Sequence, residues 1–219
     1  MLLLLCLMQA YLIKIAMNKT VNLISYNSTG LDSIKVNWIN ELLDTFDVQL
    51  FQLQEHFKAI KKVDSYFKQN FKKYDSYVLP AVRENVHHAG RPKGGLAQFV
   101  SKKSNLKKER IPSKSWRVQA QIVHAEHYKL LWVNIYMPTD PQTQYLDMTE
   151  IAETLSEIDK IIQTYIFHDH FFVTKQFLDN CIDASVIHLD DNKSNHSPVM
   201  IKIDQPLTGS TKSIKIKLD

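Results

Sequence analysis

Layered sheets beneath outer helices, an α+β domain, are what this sequence predicts. Three observations carry that reading. Strand-like and helix-like stretches are mixed without strict alternation, which favours sheets packed in layers under helices. No internal repeat or linker interrupts them. The composition is that of an ordinary globular chain, 219 residues with 44% hydrophobic and 23% charged. That length supports one sizeable core and is short for two.

Composition also excludes whole classes. Disorder needs low hydrophobicity with high net charge, and neither is present. Five Gly and seven Pro are too few for collagen-like or low-complexity sequence. Two cysteines, Cys6 and Cys181, make neither a disulfide framework nor a Cys-rich zinc site. Lys and Arg total 27 against 23 Asp and Glu, a net +4. This mild excess permits a nucleic-acid partner without demanding one.

The elements follow in order. Met1 to Ala16 is an apolar leader interrupted by Gln9 and Lys14. It is short of the roughly 20 residues that span a bilayer. It also lacks the basic start and the small-residue cleavage site of a signal peptide. The alternative reading starts the native chain at Met17. Secretion would expose Asn-x-Ser/Thr sequons, Asn18, Asn27 and Asn192 among them. A glycan on Asn27 would not fit the role given to it below, so an intracellular protein, nuclear or cytoplasmic, is expected. Secretion through the leader is the alternative.

Val21 to Tyr26 reads as a strand ending in the polar loop Asn27-Ser28-Thr29-Gly30. Ile34, Val36, Trp38, Ile39, Leu42, Leu43 and Phe46 recur at helical spacing, with Asp32 and Ser33 as N-caps. Val48 to Gln54 is a second apolar strand with Glu55-His56 at its end. Phe57, Ile60, Val63 and Phe67 mark another helix. Tyr77 to Ala81 and Leu96 to Val100 read as strands around a His-, Arg-, Lys- and Gly-rich loop, Arg83 to Gly95. The basic run Lys102 to Arg110 reads as a solvated turn. Trp116 to Val123 and Leu130 to Met137 form a strand pair. Leu146, Ile151, Leu155, Ile158 and Ile162 mark a long helix with acidic residues early, as the helix dipole favours. His170 to Thr174, Ser185 to Leu189 and Pro198 to Asp204 are strand-like. The alternating tail Lys212 to Leu218 is an edge strand or a frayed end.

Polar residues recur where apolar strands end: Asn27, Glu55, Tyr136 and the stretch Ser194-Asn195-His196 before Pro198. Strand ends are where a layered fold collects a site. Singly, each has a plain structural reading, as turn residue, helix cap or core phenol. Together and in order they form a pattern: LISYNSTGL, VQLFQLQEHF, GRPKGGLAQF, LLWVNIYMPTD, DHFFVT and SNHSPVMI. This set resembles the endonuclease/exonuclease/phosphatase family, and most of all the abasic-endonuclease-like domains of non-LTR retrotransposons. The resemblance covers about Val21 to Asp204. It places a domain at 17–205, after a leader at 1–16 and before a tail at 206–219.

The resemblance implies a four-layer α/β sandwich of two mixed β-sheets flanked by helices, with the site at one edge. It implies an Mg2+-dependent phosphodiesterase acting on DNA, monomeric and without a stable membrane partner. Glu55 would be the principal Mg2+ ligand, since Mg2+ is a hard cation usually held by one or two carboxylates plus waters and substrate phosphate. Asn27 would position metal or phosphate, and Tyr136 would donate to the scissile phosphate. His196 would stabilise charge on the phosphoryl oxygens, with Asp169 orienting its imidazole. Arg91 and Lys93 would contact nucleic-acid backbone, where the neighbouring glycines permit close approach.

Two departures stand beside these matches. The family carries a Gly-Asp-x-Asn motif between the strands of Tyr136 and Asp169, and here the long helix runs straight into IFHDHFF. One strand and its flanking segment are therefore expected to be missing. Either the neighbouring strands close the gap or that sheet frays. The nearest Asp-x-Asn is Asp190-Asp191-Asn192, a surrogate out of its structural context. The family's Ser-Asp-His reads Ser194-Asn195-His196, and an Asn cannot act as an anionic ligand. Both departures predict impaired cleavage. The alternatives are a non-catalytic nucleic-acid-binding module and a decayed retroelement fragment.

Other constellations are weaker. Side chains alternate along a strand, so Asp169 would face away from His168 and His170. His124-Ala125-Glu126-His127 lacks the spacing of a zinc-protease motif, and no Walker loop, dinucleotide fingerprint or serine-hydrolase elbow is present.

Overall fold

The structure, a computed structural model, describes residues 10–13, 21–59, 61–83, 91–124, 129–137, 148–166, 181–187, 192, 194 and 196–203. The chain runs β1 (Ala10–Ile13), β2 (Val21–Asn27), α1 (Ser33–Thr45), β3 (Leu50–Gln54), α2 (Val63–Asn70), β4 (Tyr74–Leu79) and β5 (Leu96–Ser101). A 3-10 turn, Lys102–Ser104, leads to β6 (Lys107–Ile111), β7 (Val118–His124), β8 (Lys129–Ile135), α3 (Met148–Ile166), β9 (Cys181–Val186) and β10 (Val199–Ile203). The strands form a six-stranded sheet, ordered β4-β5-β3-β2-β10-β9, and a four-stranded sheet, ordered β1-β8-β7-β6.

Period-two alternation sorts the side chains into layers. In the large sheet, Ile24, Tyr26, Phe51, Leu53, Ala97 and Phe99 face outward and are covered by Val36, Trp38, Ile39, Leu42 and Leu43 of α1 and by Val63 and Phe67 of α2. In the small sheet, Val118, Ala120, Leu131 and Val133 are covered by Ile158 and Ile161 of α3. The alternate residues face between the sheets, where Leu23, Leu50, Val100, Val123, Leu130 and Trp132 form a third apolar cluster. The result is the expected four layers. The large sheet is mixed, with β2 and β3 parallel and its other pairs antiparallel. The small sheet, expected to be mixed, is antiparallel throughout among the described residues.

One end of the space between the sheets is polar. Gln52, Gln54, Gln98, Gln119 and Asn134 are buried there. Asn134 Nδ2 donates to the carbonyls of Leu53 and Ala97 at 3.1 and 3.2 Å, and Gln54 Nε2 donates to Asn134 Oδ1 at 2.6 Å. Trp132 Nε1 donates to Gln52 Oε1 at 2.7 Å, and Gln98 Nε2 to the Trp132 carbonyl at 3.0 Å. Buried amides are tolerated when they are paired, and these pairs run from one sheet to the other. They fix the register between β3 and β8, and so the placement of whatever follows each strand.

Several elements differ from expectation. The helix foreseen from Phe57 begins at Val63. Glu55 and Phe57 hold left-handed φ of 54° and 55°, and Phe57 N donates to the Gly94 carbonyl at 3.2 Å. Those constraints keep the stretch out of a helix. The basic run is not merely a turn: its second half is edge strand β6, with Lys107 to Arg110 exposed. Charged edges resist pairing with other chains. Lys108 pairs with Asp75, and the Arg110 guanidinium lies 4.7 Å over the Tyr77 ring.

The edge of β8 away from β7 is occupied by β1, antiparallel, with Ala10 opposite Trp132 and Ile13 opposite Lys129. Part of the segment read as a leader thus lies in the small sheet and closes the β8 edge. The strand expected at 170–174 and the tail from 204 onward lie outside the described residues. Among the described residues, no helix is long and apolar enough to cross a membrane.

Candidate active site

Five segments meet at the polar end of the sandwich. Strands β2 and β3 run parallel with Asn27 opposite Gln54, so Asn27 and Glu55 emerge side by side. Antiparallel β5 starts at Leu96 opposite Gln54, bringing Gly94 and Gly95 to the same end. Antiparallel β10 starts at Val199 opposite Ser25 and brings the Ser194 to His196 loop there. From the facing sheet, the Gln54–Asn134 bond sets the end of β8, with Tyr136 just beyond it.

The Asn27 turn is built tightly. Asn27 Oδ1 accepts from Thr29 N at 3.0 Å, and Ser28 N donates to the Gln54 carbonyl at 3.0 Å. Beneath it, Lys35 Nζ donates to the carbonyls of Ser28, Thr29 and Gly30 at 2.7, 3.3 and 3.1 Å. Three carbonyls satisfy a buried ammonium and lock the turn. The cap of α1 follows at once, with Asp32 Oδ1 accepting from Lys35 N at 2.8 Å.

Glu55 is the centre of the rim. Its backbone is held at φ 54°, a conformation of a non-glycine residue that persists only where its surroundings enforce it. Its carbonyl accepts from Gly30 N at 2.6 Å, and the next residue, His56, donates its N–H to the Gly95 carbonyl at 3.4 Å. The half-buried carboxylate has no hydrogen-bond partner among the described residues. Its charge is felt by Tyr136. Burial first, and then the Glu55 carboxylate, push the Tyr136 phenol above its usual range, opposed by Arg117 and Arg91. The phenol therefore keeps its proton, and remains a donor, through neutral pH.

His56 supports the rim from beneath. Its ring is fully buried, with Nδ1 accepting from Lys58 N at 3.0 Å and Nε2 3.1 Å from the Leu79 carbonyl. That pairing fits the neutral ring with its proton on Nε2. Burial lowers its pKa to about 4 from 6.5. The unfolded chain takes up this proton near pH 6.5 and the folded one only near 4. Stability from His56 is therefore full above pH 6.5 and is lost as pH falls from there to 4, by about 3 kcal/mol. Urea unfolding between pH 7 and 4 checks this: the loss of stability should be clearly smaller in His56→Gln, and equal pH dependence in both proteins would contradict it.

The last loop is tied to the first. Ser194 Oγ donates to the Asn27 carbonyl at 3.0 Å and lies 3.2 Å from Thr29 Oγ1. Asn192 Oδ1 accepts from Tyr26 Oη at 2.9 Å and from Ser194 N at 3.1 Å, and its Nδ2 donates to the His196 carbonyl at 2.8 Å. The Asn192 amide thus ties this loop together; the two Asp of the surrogate stretch Asp190-Asp191-Asn192 lie outside the described residues. The His196 side chain is exposed, with no hydrogen bond among the described residues. Asp169, Asn195, Asp190 and Asp191 lie outside the described residues.

Arg91 and Lys93 are exposed beside the rim. The Arg91 guanidinium lies 4.1 Å over the Phe57 ring, and Lys93 pairs through its backbone with Val82. Sequence reasoning missed three neighbours. Arg117 is buried, ion-paired with Glu150 at 2.6 Å, and lies 4.0 Å over Trp116 and 5.4 Å over Tyr136. Trp116 and Tyr136 rings are 5.9 Å apart. The Trp-Arg pair just before an apolar strand was the one available signal. Glu150, 33 positions further on, offered none.

A metal test follows from the donor set. Among the described residues, no three His, Cys, Asp or Glu side chains cluster to hold a metal. Glu55 nonetheless offers a hard oxygen donor that accepts no hydrogen bond among the described residues. That fits a Mg2+ held by one carboxylate, water and substrate phosphate.

No protein-family model matches the sequence, and no curated protein matches it. Solved structures do. The chain is similar to an AP endonuclease from Archaeoglobus fulgidus, at TM-score 0.57 and 9% identity over 84% of this chain and 99% of that one. It is similar to the AP endonuclease LMAP from Leishmania major, at 0.54 and 10% over 90% and 93%. It is also similar to the endonuclease domain of TRAS1, a telomere-specific non-LTR retrotransposon, at 0.51 and 10% over 85% and 99%. At such identities the likeness is one of fold, the endonuclease/exonuclease/phosphatase fold.

Proposed function

We propose that this chain is a Mg2+-dependent phosphodiester-cleaving domain acting on DNA, slowed by its departures from the family pattern. The observation that carries the reading is Glu55: a half-buried carboxylate with no hydrogen-bond partner among the described residues, on a strained, pinned backbone, whose charge is felt by the Tyr136 phenol. The endonucleases that share the fold support the substrate class.

Glu55 would hold Mg2+, which when bound supplies charge neutralisation and Lewis-acid polarisation at the phosphate. Asn27 Nδ2 is available to position a phosphoryl oxygen, since its Oδ1 is already committed to Thr29. Tyr136 donates to a phosphoryl oxygen. His196 would stabilise developing charge, with Asp169 as the residue that the resemblance assigns to orient it and with Asn195 before it in sequence where the family has an acid. Arg91 and Lys93 hold the backbone on either side. Such positioning and electrostatics dominate phosphoryl chemistry. Without the Gly-Asp-x-Asn motif, the attacking water lacks its usual orienting carboxylate, and the rate should fall by about a hundredfold or more.

Nicking of supercoiled plasmid, with Mg2+ or with chelator, tests the reading. Slow nicking that requires Mg2+ and disappears in Glu55→Gln is expected. Nicking by Glu55→Gln at the parent rate would contradict it. A non-catalytic nucleic-acid-binding module is the second reading, favoured by the absent Gly-Asp-x-Asn motif and by Asn195 in the Ser194-Asn195-His196 stretch. It predicts salt-sensitive DNA binding without nicking.

A further inference from the structure

Trp116 stands out among the three tryptophans of the chain. Trp38 and Trp132 are 7% and 0% exposed, in the core, whereas Trp116 is half-buried beside the rim. The Arg117 guanidinium covers the indole at 4.0 Å, and the Tyr136 ring sits 5.9 Å away. Gly94 leaves room for it, since a Cβ there would fall 2.7 Å from the indole and 3.2 Å from Tyr136. Across the same glycine loop, Arg91 lies 4.1 Å over Phe57, which is also half-buried. Two aromatic–arginine pairs therefore flank the Glu55 rim.

Aromatic rings interleaved with cations suit an unpaired strand, because every base has a face to stack and every phosphate a charge to meet. A paired duplex keeps its bases stacked on one another and offers a side chain only groove edges and backbone. We propose that Trp116 is a stacking platform for an unpaired base at the Glu55 rim, next to the strand backbone that Arg91 and Lys93 meet, so that the site prefers single-stranded or locally opened DNA. This rests on the nucleic-acid reading above. Arg117 is then a positioning residue. Held by Glu150 at 2.6 Å, it keeps the indole against Gly94 and Tyr136 and adds a cation beneath the stacked pair.

The test is a titration of tryptophan emission in chelator, where no cleavage intervenes, with an oligothymidylate strand and with a duplex of equal length. Because the other two tryptophans are buried, a change on binding reports Trp116. Expected are quenching by the single strand, tighter binding of it than of the duplex, and about a tenfold or greater loss of single-strand affinity in Trp116→Ala. Duplex affinity should change by less than about threefold. Anisotropy of a labelled strand should show Trp116→Phe retaining most of the affinity while the quench is gone, which separates stacking from misfolding. Binding without quenching, or equal losses for strand and duplex in Trp116→Ala, overturns the platform and leaves the nuclease reading standing. Absence of any salt-sensitive DNA binding overturns both.

Discussion

Replacing Gly95 with alanine is expected to cost about 3–5 kcal/mol of stability and to dismantle the rim. Gly95 has φ +91°, and a Cβ there would stand 2.5 to 2.8 Å from three atoms of the His56 ring. The left-handed backbone alone costs an alanine roughly 1–3 kcal/mol. The imidazole cannot yield cheaply, because its two nitrogens engage Lys58 N and the Leu79 carbonyl in a fully buried place. Leaving such groups unpaired costs about 1–3 kcal/mol each. The same shift would move the anchors of Glu55, since His56 N and Phe57 N bond the carbonyls of Gly95 and Gly94. A domain typically has about 5–15 kcal/mol in total, so the variant should show a much lower urea midpoint or fail to fold. A loss below about 1 kcal/mol would mean that His56 and Gly95 are not packed as described.

Asn134→Leu should cost about 3 kcal/mol, and for a different reason. Its amide joins Gln54 and the carbonyls of Leu53 and Ala97 across the space between the two sheets, and Gln119 beside it in its own sheet. Leucine is close in volume, so the loss is one of pairing rather than packing. Converting Gln54 to leucine as well removes the stranded partner. The double variant should therefore be less destabilised than the sum of the two singles, by about 1 kcal/mol or more. Additive effects would show that the two amides are not a unit. Because Gln54 precedes Glu55 and Asn134 lies two before Tyr136, this unit also sets the spacing across the rim.

Much of the architecture could be read from local pattern. The short β-branched run Val21 to Tyr26 and the helical spacing after Asp32 were decisive, because each depends on neighbours in sequence. Asn27, Glu55 and Tyr136 were legible as polar residues where apolar runs stop, and the structure gathers them at one end. Long-range pairing hid the rest. Gln52 and Gln54 break the rule that the inner face is apolar, and only Asn134 and Trp132, some 80 positions away, explain them. The start of α2 was misplaced because apolar periodicity does not reveal that the Gly95 and Gly94 carbonyls hold His56 and Phe57 out of a helix. Arg117 was missed because its value depends on Glu150 in another element. Nor did composition foretell that Ala10–Ile13 would pair with β8.

The most direct measurement is a titration of Mn2+, a paramagnetic stand-in for Mg2+, by electron paramagnetic resonance in the presence of an uncleavable phosphorothioate oligonucleotide. It reports the metal whatever the turnover rate. One Mn2+ bound per chain by the parent protein, weakened at least tenfold in Glu55→Gln while the oligonucleotide still binds, is the predicted result. Equal Mn2+ binding by both proteins would contradict the placement of the metal at Glu55, and with it the proposed chemistry of the rim.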